Sequence, residues 1–275
     1  KQLLAWKNEK EHKPLILNGA RQVGKTYILR EIGRNEYKRM AFFSLDRDQK
    51  ALEIFNKGGR ATDMLMALSA ICHEDITPHD TLVVLDEIQN CPKALEALKF
   101  FCEETPEIDI VVAGSLLGLS IHSGVSYPVG KVEELHLYPM TFLEFLEAMG
   151  KTQLVNLLEN KNWTVINMLE TELISSLRQY YYVGGMPAAV LAHIEKKGWK
   201  EVRRIQQQII TDYRRDFSKH APTREIPRIN MVWDSIPAQL AKENKKFVYG
   251  AVKKSARAAD FEMAIQWLID AGLAY

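Results

Sequence analysis

The chain has 275 residues, a net charge of +1, and 47% hydrophobic against 26% charged residues, the balance of an ordinary globular protein and enough for about two domains of roughly 100–200 residues each. No stretch approaches the ~18 consecutive apolar residues of a membrane span, and Lys1-Gln2-Leu3-Leu4 does not open a signal peptide. Cys72, Cys91 and Cys102 form no CxxC pair and the seven histidines no zinc-like pairing, which argues against a disulfide framework or a zinc site and points to a reducing, cytoplasmic setting.

Pro14-Leu15-Ile16-Leu17-Asn18 reads as an apolar strand. It runs into Gly19-Ala20-Arg21-Gln22-Val23-Gly24-Lys25-Thr26, the GxxxxGKT spacing of a phosphate-binding loop. Gly19 and Gly24 permit backbone angles that a Cβ would forbid. The loop then turns its N–H groups inward as an anion nest at the positive end of the next helix, expected over 24–34. Lys25 is placed to reach the β- and γ-phosphates of ATP, and Thr26 to offer its hydroxyl to Mg²⁺. Gly19 to Tyr27 is thus the candidate nucleotide-binding segment. Within it, Arg21 reads either as a phosphate contact or as a side chain turned away from the ligand.

A strand at 40–45 and a helix at 61–73 follow. Next comes Thr81-Leu82-Val83-Val84-Leu85, an apolar strand ending in Asp86-Glu87. This is the Walker B pattern: Asp86 would hold Mg²⁺ and Glu87 would polarise an attacking water as general base. A helix at 92–104 precedes the strand Asp109-Ile110-Val111-Val112-Ala113-Gly114. Ser115, at its end, reads as a sensor of the γ-phosphate or the attacking water, a role compatible with capping the helix expected at 115–122. A last strand is expected at 132–137. Apolar strands alternating with helices imply an α/β fold, a parallel sheet with helices on both faces and its ligand beyond the carboxyl ends of the strands.

From about 141 the pattern becomes helical. Thr141 and Glu144 have capping-box spacing. Helices are expected at 153–160, 164–182, 187–197 and 199–217, with Gly184-Gly185-Met186-Pro187 as a break and 222–228 as a linker. Residues 229–275 read as helix, short strand at Lys246-Phe247-Val248-Tyr249, two helices, and Leu273-Ala274-Tyr275 entering a strand, the order of a winged helix cut before its wing. The division expected is therefore an ATPase core at 1–140, a helical lid at 141–221 and a winged-helix-like segment at 222–275. Because the chain opens on Lys1 and stops before a wing, further residues are expected at both ends.

The order of the phosphate loop, Asp86-Glu87-Ile88-Gln89-Asn90 and Ala113-Gly114-Ser115-Leu116-Leu117-Gly118 resembles an AAA+ superfamily ATPase. With Tyr138-Pro139-Met140-Thr141-Phe142-Leu143-Glu144-Phe145 and Gly184-Gly185-Met186-Pro187, nearly the whole chain is similar to a widespread group of uncharacterised prokaryotic ATPases. These pair an AAA+ core with a winged helix and a domain resembling restriction endonucleases, which would begin after Tyr275. The resemblance implies ATP hydrolysis coupled to movement of the C-terminal domains. Two departures stand out. Lys131 replaces an Arg of many relatives that is a candidate trans-acting finger, and Lys lacks the planar fork of Arg. Met186 and Ala188 depart from the relatives' Gly-Gly-Phe-Pro-Glu. Arg178, Arg214 and Arg215 remain open as second sensors. A finger supplied by a neighbouring copy would require self-association.

Residues 1–150 carry a net charge of −5 and residues 151–275 one of +6. Lys242, Lys245, Lys246, Lys253, Lys254 and Arg257 could anchor a DNA backbone. On the helix expected at 258–271, Phe261, Ile265, Leu268 and Ile269 mark the buried stripe, leaving Asp260, Glu262, Met263, Gln266, Trp267 and Asp270 outside. Three acids on that face oppose phosphate, so packing against another domain, with Trp267 as a docking residue, is the alternative to DNA binding. Two other functional readings stay beside hydrolysis: a slow nucleotide-gated switch and a DNA-directed ATPase.

Overall fold

The computed structural model describes residues 1–115, 127–242, 246–254 and 257–274. Five short segments form the strands β1 (Leu15–Asn18), β2 (Arg39–Ser44), β3 (Thr81–Asp86), β4 (Asp109–Ala113) and β5 (Glu133–His136), of which β3 and β4 are the richest in apolar residues. They pair into one parallel sheet in the order β2-β3-β4-β1-β5. The α/β class expected from the alternation is the one formed. Every residue of β3 and β4 is buried, as a strand covered on both faces requires.

Successive residues along each strand feed opposite cores. Ile16, Val83, Leu85, Ile110 and Val112 face one cluster with α3 (Gln49–Lys57), α4 (Ala61–Cys72) and α5 (Pro92–Glu104). Leu15, Leu17, Leu82, Val84 and Val111 face the other, with α1 (Gln2–Asn8) and α2 (Lys25–Glu36). Helices α1 and α3 are additions to the sequence reading. Pro92 stands in the first turn of α5, where its missing N–H costs nothing. The helix expected at 115–122 lies almost wholly outside the described residues.

Compactness divides the chain into two units: residues 1–20, 24–137 and those from Pro227 onward, and residues 21–23 with 138–226. The second unit is helical: α6 (Phe142–Ala148), α7 (Thr152–Glu159), α8 (Trp163–Met168), α9 (Glu170–Val183), α10 (Pro187–Ile194) and α11 (Trp199–His220). The capping box forms: the Glu144 N–H donates to Thr141 Oγ1 (3.3 Å) and the Thr141 N–H to Glu144 Oε2 (2.7 Å). The helix expected at 164–182 is two helices. Its break is Leu169, whose N–H is shared between the carbonyls of Val165 and Ile166 and whose side chain packs with Leu154 and Val155. At the Gly-Gly break, the Met140 N–H donates to the Gly185 carbonyl at 2.7 Å, and a Cβ on Gly185 would lie 2.2 Å from the Met140 carbonyl oxygen. The glycine is required because two backbones meet there.

Residues from 226 onward form α12 (Ile226–Leu240), the one-turn α13 (Tyr249–Val252) and α14 (Ala258–Asp270). The strand expected at 246–249 does not form. The Val248 N–H donates instead to the Gln239 side chain at 2.6 Å, so no ladder partner takes it. Leu273 and Ala274 also depart from the expected strand: both N–H groups close onto the Leu268 carbonyl (2.9 and 3.2 Å). Tyr275 and Lys245 lie outside the described residues. Trp267 is buried, together with Phe261, Ala264 and Leu268, while Ile269 is exposed. The stripe is thus turned from the expected one, and Trp267 is a core residue rather than a docking residue.

At the amino ends of the strands, His12 Nε2 lies 3.3 Å from Asp109 Oδ1, both side chains nearly enclosed. The carboxylate raises the His12 pKa above the ordinary histidine value, against a lowering by burial and with further help from Glu133 and the Lys13 backbone. A raised folded-state pKa stabilises the fold below the unfolded value, and that stabilisation is lost as pH rises through the folded one. Thermal melts of wild type and His12→Gln should therefore differ more at about pH 5.5 than at about pH 8.5, on either side of the ordinary histidine value. An equal difference at both would discount the pair.

Candidate active site

The sheet order sets the geometry. The phosphate loop leaves the carboxyl end of β1 and Asp86 ends β3, with β4 between them. Two strand spacings place those ends roughly 10 Å apart. The gap is closed by the first turn of α2, where the Thr26 hydroxyl donates to Asp86 Oδ2 at 2.7 Å. Ser115 follows the intervening strand β4.

Gly24 stands at the start of α2 with φ +98 and has no side chain to cap it, so the first N–H groups of the helix face the loop without a side-chain cap. Gly19 (φ +149) and Gln22 (φ +66) are also positive. A non-glycine residue in the left-handed region costs roughly 1–2 kcal/mol and needs support from its surroundings. Lys25 is 8% exposed, and its ammonium donates to the carbonyls of Gly19 (2.7 Å) and Ala20 (2.9 Å). Ala20 and Val23 are buried, Thr26 is half-buried, and Tyr27 is 71% exposed on the solvent side of α2.

Glu87 also has positive φ (+56), held as its N–H donates to Asp86 Oδ1 (3.0 Å) and as Gln89 Nε2 donates to its carboxylate (2.5 Å). The turn exposes part of the Glu87 side chain while Asp86 stays buried. Ser115 Oγ is buried with no hydrogen-bond partner among the described residues. At the outer edge, Asn18 Nδ2 donates to Glu134 Oε2 at 3.1 Å.

These positions fit Mg²⁺ on chemical grounds. Thr26 and Asp86 present adjacent hard oxygens, and no group of three or more His, Cys, Asp or Glu forms a cage among the described residues. Magnesium in phosphoryl-transfer sites takes one or two carboxylates and leaves its other positions to phosphates and water.

Arg21 reaches α11. Its guanidinium donates to Asp216 Oδ1 of α11 at 2.6 Å, and the Tyr213 hydroxyl donates to the Arg21 carbonyl at 2.7 Å. Burial raises the Asp216 pKa above the usual carboxylate value, against lowering by Arg21, His220 and Lys219. Nothing local in the sequence marks Asp216 or Tyr213; the one hint is that acids at 212 and 216 stand among the basic residues in the second half of α11. Lys131 is paired with Glu103 at 2.8 Å. Arg178 is exposed and lines an open groove of about 800 Å³ with Glu170, Ile174, Tyr182 and Trp199. Arg214 is exposed, and Arg215 lies 3.3 Å from Asp212.

The loop, Asp86-Glu87 and Ser115 stand at one edge of the sheet. Residues 11–146 match the model of the AAA domain family. Residues 174–275 match a domain of unknown function. No curated protein matches the chain. Among solved structures, a chain in the structure of Drosophila ORC bound to DNA is similar at 16% identity and a TM-score of 0.43, over 97% of this chain and 83% of that one. No helix among the described residues is long and apolar enough to cross a membrane.

An unpartnered buried hydroxyl is a cost to the fold, about 1–3 kcal/mol at most. Ser115→Ala should therefore leave the free energy of unfolding unchanged or raise it by up to about 1 kcal/mol, measured by denaturant unfolding. A clear loss would mean that the hydroxyl has a structural partner.

Proposed function

We propose that this chain binds ATP with Mg²⁺ and hydrolyses it. The observation that carries the reading is the 2.7 Å contact between Thr26 and Asp86, which joins two motifs 60 residues apart at one sheet edge. The AAA domain match over residues 11–146 supports it independently.

In this reading the loop from Gly19 to Gly24 and the first amides of α2 bind the phosphates, with Lys25 at the β/γ oxygens. Thr26 and Asp86 would hold Mg²⁺, which when bound neutralises charge developing on the transferring phosphoryl group. Glu87 takes the proton of the attacking water, oriented by its bond from Gln89. The unpartnered Ser115 hydroxyl contacts the γ-phosphate or that water. The helices over 141–221 act as a lid, and the segment from 222 onward moves with the nucleotide state.

A second reading is favoured by the Lys131–Glu103 pair, which leaves an ion pair where relatives carry a candidate finger. The chain would then be a slow switch that reports bound nucleotide. Turnover that rises with protein concentration supports a finger donated by a neighbouring copy. A very slow, concentration-independent rate supports the switch.

Glu87→Gln should keep ATP affinity near wild type and lower turnover by about 10²–10⁴-fold, while Lys25→Ala should abolish binding. Unchanged turnover in Glu87→Gln would remove the base assignment. ATP binding undiminished in Lys25→Ala would remove the site itself.

A further inference from the structure

The crest of the phosphate loop, residues 21–23, belongs by compactness to the helical unit. One stretch of α11 holds it. Arg21 is paired with Asp216, whose side chain is 8% exposed, the Arg21 carbonyl accepts from Tyr213, and Gln22 Nε2 donates to Asp212 at 3.0 Å. Asp212 and Asp216 are one helical turn apart and Tyr213 lies beside them, so a single face of α11 supplies all three contacts.

We propose that Tyr213 and Asp216 are positioning residues for the phosphate loop, fixing the peptide between Arg21 and Gln22 so that the Gln22 N–H is presented to phosphate. This rests on the ATP-binding reading given above. A trans peptide is planar, with its carbonyl and its N–H pointing in opposite directions. No described peptide is cis. Tyr213 therefore aims the Gln22 N–H away from α11 by bonding the carbonyl on the other side of that plane. Gln22 also sits in the left-handed region, which a glutamine does not adopt without support. The Arg21–Asp216 pair and the Gln22–Asp212 bond supply that support from outside the loop. Arg21 thereby has a role other than binding phosphate: it is the handle by which α11 grips the loop.

The test uses the full chain with Tyr213→Phe, Asp216→Asn and, as a control on the same helix, the exposed Gln207→Ala. Hydrogen exchange of the peptide spanning 19–26, without nucleotide, should quicken in the first two and not in the control, while exchange of the β3 peptide 81–86 stays as in wild type. With ATP, KM should rise about tenfold and kcat change little, because a loop amide contributes binding shared by ground and transition states. A residue that merely supports folding would instead lower the active fraction, so that apparent kcat falls at constant KM. Loop exchange and KM equal to wild type in both variants would overturn the proposal. Should Asp216→Asn disturb the β3 peptide, Tyr213→Phe, which removes one oxygen, decides alone. If wild type does not bind ATP, the ATP reading fails while the exchange comparison still decides whether α11 shapes the loop.

Discussion

The hydrogen bond from Thr26 to Asp86 ties the start of α2 to the end of β3 across the strand that separates β1 from β3. It can form only because three strands keep their register. Leu15 is opposite Val111, and Leu82 is opposite Asp109. A slip of one residue in β3 would carry Asp86 to the opposite face of the sheet and move the whole apolar set with it. The two packed cores forbid that slip, since Leu82 and Val84 feed one and Val83 and Leu85 the other. Burial of ordinary aliphatic side chains is thus what holds a threonine hydroxyl against a carboxylate to within a few tenths of an ångström.

Much of this was legible in the chain. Strands β3 and β4, buried on both faces, read as plain apolar runs; the ends of all five strands lie within a residue or two of those expected, although β5 is the part-buried Glu133-Glu134-Leu135-His136, and the glycine spacing of the loop marks the candidate site. What escaped had physical reasons. Helices α1 and α3 lack side-chain caps and are short. The run Lys246-Phe247-Val248-Tyr249 has strand-like residues, yet a glutamine side chain captures the N–H that a neighbouring strand would need. Trp267 is buried although the sequence pattern leaves it outside the stripe of α14, because periodicity alone fixes a helical stripe only to within a residue or so. The grip of α11 on Arg21 spans 195 residues of sequence and joins ordinary polar side chains, so no local pattern announces it.

Charge is distributed in a way that narrows the chemistry. Two cations that the sequence offered for compensating phosphate charge are committed elsewhere, Arg21 to Asp216 and Lys131 to Glu103. Lys25 remains at the loop, its ammonium already directed by two backbone carbonyls. Exposed pairs such as Lys131–Glu103 contribute little to stability, whereas the Asp216 carboxylate lies in a nearly enclosed site where removing Arg21 leaves only the more weakly acting His220 and Lys219 to offset its charge.

Strand β4 begins with Asp109 and leads directly to Ser115. The same strand therefore leads from the proton-linked His12 pair at one pole to the Ser115 hydroxyl, which has no partner among the described residues, at the other, about 20 Å apart along an extended chain. The first pole carries a contribution to stability that depends on pH, the second a residue of the candidate site, and the side chains of residues 110–113 between them are aliphatic. A change at His12 can thus alter how stability depends on pH while leaving every residue of the candidate site as it is.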